Sequence, residues 1–141
     1  MASYRRDPHQ PTPAYLAFWQ ARHVCTLTTL RADGTPHVVP VSATYDPEAG
    51  LARVIATRTS AKVRHVRAGD AAAGGAGAPV AICQFDGPTW ATLEGRAVIR
   101  TEADLVADAE HRYELRYGRP PRPNPHRVLI EVTLTGALGN C

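Results

Sequence analysis

Tight turns punctuate this sequence where a doubly wound fold would need helical crossovers. Ala32-Asp33-Gly34-Thr35, Asp46-Pro47-Glu48-Ala49-Gly50 and Asp86-Gly87-Pro88 each follow a short apolar run and precede another. Asp-Gly supplies the positive φ that a hairpin turn requires. The runs between turns read as strands at His23–Leu30, Pro36–Tyr45, Leu51–Ala56, Val80–Phe85, Thr89–Thr101 and Arg127–Thr135. Pro40 interrupts the second and Gly95 marks a bulge or bend in the fifth. Three helices are expected. One is opened by Thr12-Pro13, one follows Ser60, and one spans Glu102–Tyr117, with Leu105, Ala109, Tyr113 and Tyr117 as its core stripe and Gly118 as its stop. On the first, Leu16, Trp19 and Phe18 form the side expected to be buried. Six strands joined mostly by tight turns favour a mainly β fold, a six-stranded antiparallel barrel with peripheral helices. Residues 1–11 read as a flexible N-terminal tail and 12–141 as a single domain.

A barrel of this size has little room inside for a large ligand. A bound molecule would lie outside, in a groove completed by a second subunit. Exposed apolar strand faces would drive that pairing.

The junction Leu51–Arg67, LARVIATRTSAKVRHVR, carries an electrostatic conflict. A strand gives way to a polar turn, Thr57-Arg58-Thr59-Ser60, and then to a helix with Ser60 as N-cap. Arg58 and Lys62 sit at the positive end of that helix dipole, where each cation is disfavoured by roughly 0.3–1 kcal/mol. An anion bound there would reverse the sign, meeting free backbone N–H groups, hydroxyls and an ammonium together. The stretch therefore reads either as a phosphate cradle or as a solvated basic turn.

Composition narrows the classes. Sixteen basic and 13 acidic residues leave a net charge of +3, enough for an anionic ligand without the long basic runs of nucleic-acid binders. Aromatics are 6%, and only Tyr45, Phe85 and Trp90 are candidates for base stacking on a barrel. Cys25, Cys83 and Cys141 are too few and too far apart for a disulfide framework. The six histidines show no short metal-ligand spacing, so no metal is expected. No apolar run approaches the roughly 18 residues of a membrane span, and no leader is evident, which points to the cytoplasm. Ala68–Pro79 is small and anchorless and reads as a mobile loop, with a lid as the functional alternative. Arg119-Pro120-Pro121-Arg122-Pro123-Asn124-Pro125 reads as a stiff extended connector.

Four segments in order, LTTLRADGTPHVV, ARVIATRTSAK, QFDGPTWATLEGRA and RYGRPPRPNPHRVLIEV, resemble the split β-barrel, FMN-binding family of pyridoxamine 5'-phosphate oxidase-like proteins. Within it they are most similar to the deazaflavin branch that uses coenzyme F420 and includes biliverdin reductases. The resemblance implies a homodimer with two cofactor sites at the subunit interface. It implies that Thr57, Arg58, Thr59, Ser60 and Lys62 hold the phosphate end. Pro36–Val41 would lie along the ring, with the backbone near Pro40 and Val41 in contact. Gln84 and Trp90 would approach the ring or its side chain, and Arg127 would reach in from the partner. Arg58, Arg64, Arg67 and Arg127 are candidates for the longer anionic tail that distinguishes F420 from FMN.

Hydride transfer from such a ring to an electron-poor double bond, as in a tetrapyrrole, requires orientation and exclusion of water rather than a side-chain nucleophile. No catalytic residue is assigned. His37 is a candidate proton donor beside an ordinary role as a strand-surface histidine. The alternatives are an FMN-dependent oxidoreductase on the same fold, a non-catalytic flavin or tetrapyrrole carrier, and a nucleic-acid-binding barrel.

Overall fold

The stretch Pro36–Asp46 supplies both free edges of one antiparallel sheet. The computed structural model describes residues 4–141, in the order β1 (Tyr4–Arg6), α1 (Pro13–Gln20), β2 (Cys25–Leu30), β3 (Pro36–Val41), β4 (Ala43–Asp46), β5 (Leu51–Thr57), α2 (Ala61–Ala72), β6 (Ala78–Asp86), β7 (Thr89–Arg100), α3 (Ala103–Tyr117) and β8 (Arg127–Gly139). The sheet order is β3-β2-β6-β7-β8-β5-β4, with β1 also paired to β8. β3 and β4 stand at opposite ends of that order, yet only Ser42 separates them in sequence. The sheet must therefore curl until its two edges meet, and the barrel stays split there. Pro40 is tolerated because β3 is an edge strand, paired among the described residues with β2 alone.

The observed sheet has eight strands where six were expected. Pro36–Tyr45 divides in two at Ser42, and Tyr4–Arg6 adds a short strand. Of the expected loose tail, residues 1–3 lie outside the described residues. Tyr4 to Arg6 pair with Gly139 to Ala137 of β8, and the Tyr45 hydroxyl donates to the Pro8 carbonyl. This part of the tail is docked, because β8 would otherwise leave backbone groups unpaired along one side.

Alternation on the strands fills the interior. Leu27, Val54, Ile82, Leu93, Ile130 and Val132 are all buried, each worth about 1.5–3 kcal/mol against exposure. α1 closes one end of the barrel with Trp19 and with Tyr15, which the sequence pattern had not marked as buried; Leu16 and Phe18 are only half-buried. Thr12 caps α1 by accepting from the Tyr15 N–H. The β7 bulge falls at Glu94/Gly95, as Gly95 suggested. A Cβ there would lie 2.3 Å from the Thr133 carbonyl oxygen, so only glycine fits.

The mobile loop expected over 68–79 is largely absent. α2 continues to Ala72, and β6 begins at Ala78. Alanines are the best helix formers, and Gly69 lets α2 approach β6 closely: a Cβ there would lie 2.6 Å from that of Ala78. Glu102 occupies the N-cap position of α3 without a side-chain capping bond, and Gly118 ends the helix at φ 78°. Among the described residues no helix is long and apolar enough to cross a membrane.

α3 is clamped onto β4 and β5 by alternating charges. Arg53 bonds Asp46 at 2.9 Å, and Arg112 bonds Asp108 at 2.9 Å and lies 3.4 Å from Asp46. Burial alone would raise the Asp46 carboxyl, but the Arg53 hydrogen bond, the Ala49 N–H and the charges of Arg112 and Arg53 together hold it below its ordinary value of 3.8. A carboxyl lowered in the folded state stabilises above its unfolded pKa and loses that contribution as pH falls through the folded value. Urea denaturation is expected to show stability declining below about pH 4, with Asp46→Asn less stable at pH 7 and less sensitive to acid. An equally steep acid decline in Asp46→Asn would assign that limb to other groups.

Candidate anion-binding cleft

At the split, β3 turns toward β4 and leaves a cleft of about 620 Å³ between the strand ends, the start of α2 and the connector after α3. Pro40 and Val41 form one wall, Ile55 and Tyr113 contribute apolar surface, and Lys62, Arg119, Arg122 and Arg127 bring cations. The volume falls within the range of small-molecule and cofactor sites, about 300–1,000 Å³. Among the described residues no acidic side chain lines the cleft.

Three devices place these four cations. Lys62 lies in the first turn of α2 and has no ion-pair partner among the described residues; burial lowers its pKa. Arg127 opens β8 and is held by Glu110 at 2.6 Å and by the Arg122 carbonyl at 2.7 Å. Arg119 and Arg122 are carried by the proline-rich connector, whose fixed φ angles keep them extended. Asn124 anchors that connector by donating to the Thr57 hydroxyl at 3.0 Å, and the Arg58 N–H donates to the His126 carbonyl at 2.9 Å.

The expected phosphate cradle adjoins the cleft. Ser60 is the N-cap of α2, but its hydroxyl makes no capping bond and is buried without a partner. The first turn of α2 contains no acidic side chain. Thr59 and Arg58 are exposed, and the Thr59 carbonyl accepts from Arg64. A buried orphan hydroxyl, an unpaired ammonium and the start of a 12-residue helix are suited to an anionic group. A phosphate-bearing cofactor fits this donor set.

Several expected site residues fall elsewhere. Gln84 is turned into the barrel: it is fully buried, donates to the Phe18 carbonyl at 2.8 Å and accepts from Arg116 at 2.6 Å. A strand residue read from sequence has two possible faces, and here the Arg116 guanidinium claims the inner one. Trp90 sits opposite Phe85 in the β6–β7 hairpin and does not line the cleft. Arg127 lines the cleft of its own chain. Arg64 and Arg67 are exposed on α2 outside the cleft. His37 is half-buried against His65 and does not line it either. Arg119, Arg122 and Tyr113 were missed; their only signal was two arginines without acidic neighbours on a proline-stiffened segment. Among the described residues no group of three His, Cys, Asp or Glu side chains is arranged to hold a metal.

A sequence model of the pyridoxamine 5'-phosphate oxidase family matches residues 11–141. The chain belongs to that family. It is 49% identical over 126 residues to an F420H(2)-dependent biliverdin reductase from Mycobacterium tuberculosis (strain CDC 1551 / Oshkosh), covering 89% of this chain and 85% of the relative. Among solved structures it resembles an F420 reductase at TM-score 0.69 and 23% identity, covering 91% of this chain and 98% of the other. A conserved hypothetical protein from Mycobacterium tuberculosis superposes at TM-score 0.71 and 19% identity, covering 94% and 86%. These two structures support the fold.

The geometry separates cleft cations from surface cations. With inorganic pyrophosphate as probe, calorimetry is expected to show Lys62→Ala weakening binding by about 1.5–3 kcal/mol, the worth of a hydrogen bond to a charged group. Arg67→Ala should change it by less than about 0.5 kcal/mol. Equal losses would mean that only the general positive field attracts the probe.

Proposed function

We propose that this protein is an F420H2-dependent reductase that transfers a hydride to an electron-poor double bond, with biliverdin as the substrate. The observation that carries the reading is the cleft: cationic, free of acidic lining and continuous with an uncommitted helix start. The likeness to a biliverdin reductase at 49% identity supplies the cofactor and substrate.

When bound, the reduced deazaflavin supplies the hydride. The chain's own residues bind and orient it. Ser60, Thr59, Arg58 and Lys62 hold the phosphate, together with Thr57, whose hydroxyl keeps its hydrogen free to donate while accepting from Asn124. Pro40 and Val41 wall the ring system. Arg119 and Arg122 take the carboxylates of the tail, and Arg127 adds charge that Glu110 partly offsets. FMN lacks such a tail, and the two connector arginines favour F420 over it.

A homodimer completes the site in this reading. β3 is an open edge, and Val24, Val38 and Phe85 are apolar side chains left 68%, 57% and 67% exposed. Trp90 would enter a site only from the partner's β6–β7 hairpin. The three free cysteines suit a reducing compartment, and we place the protein in the cytoplasm.

Titration followed by fluorescence is expected to show F420 binding more tightly than FMN. Mixing F420H2 with biliverdin should consume the reduced deazaflavin in the presence of the protein. Tighter FMN binding would move the protein to flavin chemistry, and F420 binding without turnover of biliverdin would leave a carrier or another acceptor. Sedimentation equilibrium should return twice the 15.2 kDa chain mass; a monomer that turns over biliverdin would remove the shared site.

A further inference from the structure

A second pocket, of about 410 Å³, lies between the β2–β3 hairpin and the C-terminal half of α2 and shares no lining residue with the cationic cleft. We infer that it binds a small amphipathic anion, a flat apolar body bearing one carboxylate, at a site separate from the cofactor cleft. This inference goes beyond the proposed reductase activity and does not depend on it.

The walls decide the apolar half of the ligand. Leu30, Ala68, Ala72, Ala78 and Pro79 present methyl and methylene surface with no hydrogen-bonding side chain. The alanines come from the segment that the sequence marked as a loop, and folding makes them a wall. Small side chains there leave space that larger ones would fill.

The charged half is decided by Arg31 and His65, the only titratable side chains among the described residues that line the pocket. His65 Nδ1 lies 2.9 Å from the Thr29 hydroxyl. When that hydroxyl donates to Nδ1, Nε2 carries the ring hydrogen and becomes a donor to an anion. Burial lowers the His65 pKa, with the neighbouring His37, Arg31 and Arg64 acting in the same direction. A carboxylate would relieve that repulsion. Arg31 donates to the Pro36 carbonyl at 2.6 Å and has no ion-pair partner among the described residues. Neither nearby carboxylate forms a salt bridge with Arg31: Asp33 accepts from Thr35 and is held down in small part by the Arg31 charge, and Asp70 accepts from the Gly77 N–H at 2.9 Å.

The helix sets the orientation. His65 and Ala72 are seven residues apart on α2, about 10 Å along its axis. A carboxylate beside Arg31 and His65 keeps clear of the negative end of the helix dipole. The apolar body then points toward Ala72, where the dipole offers it neither gain nor penalty.

Indole-3-propionate is a suitable probe, followed by amide NMR on the full chain. Saturable shifts are expected at Leu30, Ala68 and Ala72. Ala72→Trp should abolish them by filling the pocket; Ala72 is exposed, so the larger side chain has room. Ala68→Phe serves as an independent filling variant should Ala72→Trp fail to fold. Arg31→Ala should weaken binding about tenfold, the equivalent of 1.4 kcal/mol, while Lys62→Ala should leave it unchanged. Absence of saturable shifts in the unmodified protein, their persistence in a folded filling variant, or their loss in Lys62→Ala would overturn the inference. Titration with F420 remains informative in each case, because its shifts are expected at Lys62, Arg122 and Arg127.

Discussion

The single residue between β3 and β4 governs the architecture. With Ser42 as the only link, the two edges of a sheet of eight strands cannot separate, and the sheet can neither flatten nor open. Closure gives Leu27, Val54, Ile82 and Ile130 a common interior. It also leaves a gap where the ladder is broken, and backbone that is not sealed by a neighbouring strand is available to a ligand. The cationic cleft and the split in the barrel are two aspects of one constraint.

The helices exploit that gap unequally. α2 directs its start toward the cleft and packs its alanine-rich end on β6. α3 is fastened to β4 and β5 by the Asp46, Arg53, Asp108 and Arg112 charges, and its last turn is fixed from within by Arg116. That guanidinium bonds the Ala21 and Ala43 carbonyls and Gln84, and lies 5.1 Å from the Tyr117 ring centre. It ties α1, β4, β6 and α3 together with no carboxylate partner among the described residues. The connector that leaves α3 is thereby aimed across the cradle, where Asn124 and His126 dock it. Docking the connector backbone that carries Arg119 and Arg122 would reduce the ordering cost of binding an anion there.

Much of this was readable from local chemistry. The Asp-Gly turns, the Gly95 bulge, the Thr12 cap and the Gly118 stop each act within a few residues, so each could be read directly. The basic junction at Arg58–Lys62 was legible for the same reason: helix-dipole electrostatics fall off within one turn. Gln84 turns into the barrel rather than toward the cleft, because a two-residue period shows that faces alternate but does not reveal which face a long-range partner will claim. The Ala68–Pro79 segment was misread because its composition suits both a flexible loop and a close-packed helix. Contact with β6 decided between them.

By itself, the sequence determined most of the strands and their turns, the antiparallel class and the basic junction at the start of α2, since propensity, turn geometry and charge act over short range. Only the tertiary structure decided which arginines face that place, that β3 and β4 are opposite edges rather than one strand, and that a second pocket opens beside α2. These depend on residues far apart in the chain being brought together. That juxtaposition is set by closure of the whole sheet, which no local window contains.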